Sequence, residues 1–220
     1  MSITNFYEHK SQAQQPRQLV IMLHGVGSNG RDLISLAPYL AQYVPDAHFI
    51  SPDAPFACDM VPAGYPDSYQ WFSLQDRDPH VMLRGVESVF PLVEEFIKQQ
   101  AERLEIPLDK VALLGFSQGT MTSLYTAPCL ENKIAGVLGY SGALLWDNAQ
   151  NSNDIKHAMP IHLIHGEADD VVPVQAWDLA QNTLKDHGFT VSGHTTPGLT
   201  HSIDQNGIES GGAFLKKILV

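Results

Sequence analysis

Three short stretches carry residue types that can transfer an acyl group. The first is Gly115-Phe116-Ser117-Gln118-Gly119, a G-x-S-x-G pattern. An apolar run, residues 111–114, enters it, and a helix-like stretch, residues 118–127, leaves it. The pattern needs that strand–turn–helix setting, because the turn is so tight that the flanking positions must be glycine. The serine is pushed to the tip, at a helix N-terminus whose dipole favours developing negative charge. A serine hydroxyl is a weak nucleophile, so it needs an imidazole base that a carboxylate holds in place. Downstream, His165-Gly166-Glu167-Ala168-Asp169-Asp170 and Gly198-Leu199-Thr200-His201 each follow a predicted strand. Ser117 is therefore read as nucleophile and His201 as the base that later protonates the leaving group. Asp169 is read as the group that fixes the imidazole, with Asp170 and Glu167 as rivals that the residues alone do not eliminate.

An acyl-transfer site also needs two N–H donors for the oxyanion: one from the residue after the nucleophile, one from an early strand-to-helix loop. Gln118 provides the first. In Leu23-His24-Gly25-Val26-Gly27, Val26 is the candidate for the second, and Gly25 and Gly27 let the backbone approach a substrate. Residues 55–74 mix Phe56, Met60, Val61, Tyr65, Tyr69, Trp71 and Phe72 with Pro and Gly and show no period. A loop this apolar is expected to cover something. It is read as the wall or lid of an acyl pocket, with Met60, Trp71 and Phe72 as substrate-binding residues.

Two other features are set aside. Ser141, in Gly139-Tyr140-Ser141-Gly142-Ala143, lacks a closing glycine and a following helix and is read as structural. His157, His162 and His165 resemble a metal cluster, but strand positions three apart face opposite sides, so His162 and His165 cannot share an ion. No metal and no cofactor is expected.

The elements that must position these residues alternate. Strands are predicted at residues 19–23, 48–50, 111–114, 134–138, 161–164 and 190–195. Helices are predicted at residues 31–43, 82–104, 118–127, 174–185 and 208–219, with a kink or a break at Pro91 in the second of them. Near-continuous apolar strands alternating with helices indicate an α/β fold whose mostly parallel central sheet has helices on both faces. In such sheets ligands bind beyond the carboxyl ends of the strands, where each reactive stretch lies. One domain is expected over residues 18–220, preceded by a polar segment, residues 1–17.

The elbow at residues 115–119, with Ile106-Pro107 and Val111 before it, resembles that of the carboxylesterase/phospholipase family of α/β-hydrolases, which includes the acyl-protein thioesterases. So do Leu23-His24-Gly25-Val26-Gly27, Trp71-Phe72, Ser141-Gly142, His165-Gly166-x-x-Asp169-x-Val171-Val172-Pro173 and His201-Ser202. The motifs stand in family order from about residue 20 to the C-terminus. The resemblance implies Ser117, Asp169 and His201 as a triad, which selects Asp169 over Asp170, and oxyanion donors at Val26 and Gln118. It departs at Glu167, where the family often has Asp, and at Thr120, where it often has a third glycine. It is also weak before Trp71 in residues 55–74, which line the acyl site in the family.

Composition excludes other classes. With 13 basic and 24 acidic residues the net charge is −11, which repels nucleic-acid phosphates and anionic lipid headgroups. No apolar run approaches the roughly 20 residues of a membrane span, so stable membrane insertion is not expected. Two cysteines in 220 residues and a polar N-terminus without a signal-like apolar core point to the cytoplasm. The expected function is cofactor-free hydrolysis of a small-molecule ester, thioester or lipid through an acyl-enzyme. Lysophospholipid or peptide cleavage on the same triad is one alternative, and a non-catalytic binding module is another. The apolar loop is also compatible with a homodimer.

Overall fold

The computed structural model describes residues 2–62, 64–146 and 155–220 of the chain. Among the described residues nine strands form in chain order: β1 (Phe6–His9), β2 (Gln18–Leu23), β3 (Ala47–Pro52), β4 (Phe56–Ala57), β5 (Tyr69–Gln70), β6 (Val111–Phe116), β7 (Gly136–Tyr140), β8 (Pro160–Gly166) and β9 (Thr190–Thr196). Seven make one sheet in the order β1-β3-β2-β6-β7-β8-β9, and β4 and β5 make a separate hairpin. Among the described residues only β1 runs antiparallel in the large sheet. The helices are α1 (Gly30–Leu33), α2 (Ala37–Leu40), α3 (Pro79–Arg103), α4 (Gln118–Cys129), α5 (Gln175–Asp186) and α6 (Gln205–Leu219).

The central strands are apolar on both faces because both faces are covered. In β2, Leu19, Ile21 and Leu23 enter a core shared with α3, α4 and α5. The alternate residues, Val20 and Met22, enter a second core shared with α1, α2 and α6. Each such buried side chain contributes roughly 1.5–3 kcal/mol relative to exposure. The parallel register pairs Leu23 with Gly115, Phe116 with Tyr140, and Gly166 with Thr196. The last residues of β2, β6, β7, β8 and β9 therefore lie along one edge, and the loops that follow them meet there.

Three details differ from the sequence reading. The polar N-terminal stretch contains β1, which pairs with β3. Phe6 packs edge-on against Phe96 at 5.8 Å, and Glu8 pairs with His48 and Arg103. An edge strand exposes one side to water, so charged residues suit it and hide it from a hydrophobic pattern. The stretch 31–43 is two short α-helices joined by a 3₁₀ turn, Ile34–Leu36, rather than one helix. Conversely, α3 runs unbroken for 25 residues through Pro91. Pro91 removes one i→i−4 bond. The buried stripe of Val86, Val89, Val93, Phe96 and Ile97 spans the site of the loss and holds both halves on the sheet.

Candidate active site

Ser117 sits between the end of β6 and the start of α4 with φ 54° and ψ −116°. This left-handed backbone is costly for a residue with a Cβ and persists only where its surroundings hold it. Those surroundings are tight. A Cβ on Gly115 would meet the Thr120 nitrogen at 2.4 Å, and one on Gly119 would meet the Leu23 carbonyl oxygen at 1.8 Å. The Ser117 N–H donates to Tyr140 O at 2.9 Å. Thr120 adds a second tie to β7: its hydroxyl donates to Tyr140 O at 2.8 Å and accepts the Tyr140 N–H at 3.0 Å.

Of the three carboxylates after β8, Asp169 lies against His201. Its Oδ2 accepts from His201 Nδ1 at 2.8 Å, and its Oδ1 accepts the N–H groups of Val171 at 2.9 Å and Val172 at 2.8 Å. Glu167 accepts instead from the Thr195 hydroxyl, and Asp170 is exposed. Burial pushes the Asp169 carboxyl upward, but the His201 hydrogen bond and the Val172 and Val171 amides outweigh it and hold the group below the ordinary carboxylate range. Asp169 is therefore ionised at neutral pH. With its Nδ1–H committed to Asp169, His201 presents Nε2 as the basic nitrogen. The His201 ring packs on Phe116, 4.9 Å between centroids.

Val26 and Gln118 are placed by a shared brace. The Gln118 side chain is buried; its Oε1 accepts the Trp71 N–H at 2.9 Å and its Nε2 donates to Phe72 O at 2.7 Å. The Trp71 indole N–H donates to His24 O at 2.8 Å. His24 is fully buried. Its Nε2 accepts the Ala54 N–H at 3.0 Å, which leaves Nδ1–H to donate to Gly25 O at 2.7 Å. Burial lowers the His24 pKa, so the neutral ring that both bonds require persists. Gly27 and Ser28 spend their N–H groups on Tyr69 O and Gly25 O. Among the described residues the Val26 N–H has no such acceptor, and Gln118, as the first residue of α4, has no intrahelical one.

A model of the phospholipase/carboxylesterase family matches residues 6–219. The chain belongs to the phospholipase/carboxylesterase family. Acyl-protein thioesterase 1 homolog 1 of Dictyostelium discoideum is 31% identical over 208 residues, covering 91% of this chain and 90% of that one. Acyl-protein thioesterase 1 of Saccharomyces cerevisiae is 30% identical, covering 94% and 95%. The crystal structure of esterase PE8 superposes with a TM-score of 0.90 at 34% identity, covering 98% of this chain and 99% of that one. Among the described residues no helix is long and apolar enough to cross a membrane.

In this family member two cavities open on Ser117. One, of about 190 Å³, is lined by His24, Gly25, Val26, Ser28, Asp32, Leu33, Phe116, Val171 and His201 as well. The other, of about 250 Å³, is lined chiefly by Leu74, Met82, Met121, Val172, Pro173 and Ala176. Larger hollows of about 540 and 530 Å³ lie near the amino ends of β2, β3 and β6, beside Arg17, Asp46 and Pro107 or Lys110, away from Ser117.

Most of residues 55–74, read from the sequence as a pocket wall, lie outside the two cavities at Ser117; residue 63 lies outside the described residues. Trp71 and Phe72 are buried and line neither cavity, and Met60 is half exposed and lines neither. The physical reason is the brace: Tyr69 bonds Gly27 and Ser28, Trp71 bonds His24, and Phe72 lies flush on α3, where a Cβ on Gly85 would come within 2.9 Å of it. Of this segment, Leu74 reaches the groove. The groove residues that the sequence reading missed include Met82 and Met121. Met121 is one helical turn after Ser117, a spacing that points it to the same side.

The remaining histidines have separate partners. His165 is buried and donates from Nε2 to Val172 O at 2.8 Å, with Asp169 Oδ2 at 3.3 Å, so it props the loop that carries the acid. His162 lies between the Ser192 and Ser210 hydroxyls, at 2.8 and 2.7 Å, and stacks on Phe214. Burial, and then the nearby His194, push its pKa down to about 4. The unfolded chain, with a histidine pKa near 6.5, therefore binds this proton first, and stability falls as pH drops from about 6.5 towards 4. At 1.36 kcal/mol per pH unit the loss by pH 5 is about 2 kcal/mol. Urea titrations at pH 7 and pH 5 should show at least this drop, since His24 and His48, whose pKa values burial also lowers, add to it, and His162→Gln should reduce it by about 2 kcal/mol. An equal drop in the variant would assign the acid sensitivity elsewhere.

Proposed function

We propose that this protein is a serine esterase that hydrolyses small carboxylic esters or thioesters through an acyl-enzyme, with Ser117 as nucleophile, His201 as base and acid, Asp169 as the anchor of His201, and the Val26 and Gln118 N–H groups as oxyanion donors. One observation carries the reading: the His201 imidazole, bonded to an ionised Asp169 at 2.8 Å, lines the same cavity as the strained Ser117. The Ser117 oxygen attacks the acyl carbon as its proton passes to His201 Nε2. The two N–H groups take the oxyanion, and His201 returns the proton to the departing oxygen or sulfur. Water then repeats the sequence and frees the acid. Two cysteines in 220 residues suit a reducing, cytoplasmic setting.

The leaving group must touch His201, so it belongs in the 190 Å³ cavity that His201 lines, and the acyl chain belongs in the 250 Å³ groove. That groove lies below the roughly 300–1,000 Å³ usual for drug-sized ligands, which favours short and medium acyl chains. Each methylene moved from water to its apolar wall is worth about 0.8 kcal/mol, or about fourfold in kcat/KM. The test is kcat/KM for 4-nitrophenyl esters from acetate to decanoate, with matched thioesters. The expected curve climbs and then flattens where the groove ends. Met121→Ala should lower the slope, whereas Trp71→Phe, which deletes the bond to His24, should lower all lengths by one factor. A wild-type curve that is flat from acetate onward would contradict the assignment of the groove.

A further inference from the structure

Beyond Ser117 the acyl groove is apolar except at one point. Among its lining residues Arg77 carries the only charge. Arg77 is exposed and forms no ion pair among the described residues. Its neighbours in sequence are both aspartates, yet both are turned elsewhere. Asp76 Oδ1 accepts the Asp78 N–H at 2.9 Å, and Asp78 Oδ1 caps α3 through the His80 and Val81 N–H groups at 2.9 and 3.4 Å. In a chain of net charge −11, a guanidinium without a partner among the described residues thus stands on the wall of the groove that starts at Ser117.

The leaving-group cavity has the opposite charge. Asp32 is on its wall, its Oδ2 accepting from the Ser28 hydroxyl at 2.9 Å, and no Lys or Arg lines it. An anionic leaving group such as a glycerophosphate would meet a carboxylate there, whereas a neutral or cationic alcohol or thiol would not.

We propose that Arg77 makes this esterase selective for acyl groups that end in a carboxylate, that is, for hemiesters or hemithioesters of short dicarboxylic acids with an uncharged or cationic leaving group. The inference rests on the serine-esterase reading and on the assignment of the groove to the acyl chain. The methylenes lie on Leu74, Met82 and Met121, and the terminal carboxylate reaches the guanidinium fork, whose planar donors match two carboxylate oxygens. Because Arg77 is exposed, the carboxylate keeps part of its water and is not forced to desolvate. Hydrolysis follows the route already given, and the terminal carboxylate takes no part in bond making.

The test compares kcat/KM for three esters of similar length: mono(4-nitrophenyl) adipate, 4-nitrophenyl hexanoate and 4-nitrophenyl 6-aminohexanoate. Wild type is expected to prefer the adipate over the hexanoate, and the aminohexanoate should be the poorest. Arg77→Gln should cut the adipate-to-hexanoate ratio about tenfold, which is about 1.4 kcal/mol at 1.36 kcal/mol per decade. Arg77→Lys should restore part of the ratio, and Arg77→Glu should shift preference to the aminohexanoate. Raising salt to 0.5 M should shrink the wild-type ratio, since an exposed pair is screened. A wild-type enzyme that hydrolyses the hexanoate at least as well as the adipate overturns the proposal and leaves the esterase reading standing. So does a ratio that Arg77→Gln does not change. Hydrolysis of none of the three esters by wild type overturns both.

Discussion

Ser117→Ala is expected to lower kcat by about 10⁶ while leaving the fold in place. At 1.36 kcal/mol per decade that is about 8 kcal/mol of transition-state stabilisation, which only loss of the covalent route explains. The hydroxyl is what the substitution removes. The backbone strain at φ 54° stays, because alanine also carries a Cβ, and the N–H bond to Tyr140 O stays because it is main chain. Thermal midpoints of the two proteins should therefore agree within a few degrees, a shift of about 2–4 °C corresponding to 1 kcal/mol in a chain of this size. Ser141 supplies the control. It too is buried with positive φ, 47°, at the end of a strand, but no helix begins at residues 142–146 and it lines neither cavity. Ser141→Ala should keep at least a tenth of the wild-type rate. Steady-state kinetics on a 4-nitrophenyl ester decide it: comparable losses in the two variants would remove the special status of Ser117.

Asp169→Asn is expected to cost about 10⁴ in kcat, because it inverts the histidine tautomer. The Val171 and Val172 N–H groups both point at Oδ1 and require an acceptor there. An asparagine keeps its oxygen at that position and so turns its NH₂ to where Oδ2 now meets His201 Nδ1. Nδ1 must then accept, the ring proton moves to Nε2, and no lone pair remains to take the proton of Ser117. Asp170→Asn and Glu167→Gln touch neither ring nor amides and should stay within about threefold of wild type, as surface changes usually do. The same geometry makes Asp169 a stability group. Its folded pKa is depressed, so its contribution is present above the unfolded carboxylate pKa and is lost as pH falls through the folded value. A variant series in which Asp170→Asn is the most damaged member would move the acid to the neighbouring position.

What could be read from residue order was the set of groups at strand ends. Ser117, Asp169 and His201 each follow a strand, and a parallel sheet brings the ends of its strands to one edge whatever the helices do. The carboxylate itself was legible only through resemblance, since the choice among Glu167, Asp169 and Asp170 depends on the turn that Val171 and Val172 close on Oδ1. The function of residues 55–74 was not legible. Composition reports that Trp71 and Phe72 are apolar and want burial; it does not report whether a substrate or the protein itself buries them. Here the protein does, through hydrogen bonds of Tyr69 and Trp71 to the loop at residues 24–28, and those partners are distant in sequence. Residues 6–9 were missed for a related reason: Glu8 and His9 look like surface, and as an edge strand they are half surface.

The acyl-enzyme route puts the acyl group on Ser117, and a fluorophosphonate reads that out. Its phosphorus takes the place of the acyl carbon, the serine oxygen displaces fluoride, and the adduct is stable to mass measurement. Incubated with the wild-type protein, it should add one equivalent, map by peptide mass to Ser117, and abolish ester hydrolysis in proportion to labelling. Ser117→Ala should take up none, and Asp169→Asn should label far more slowly. Full ester turnover by a protein carrying no label, or a label on any residue other than Ser117, would contradict the acyl-enzyme route.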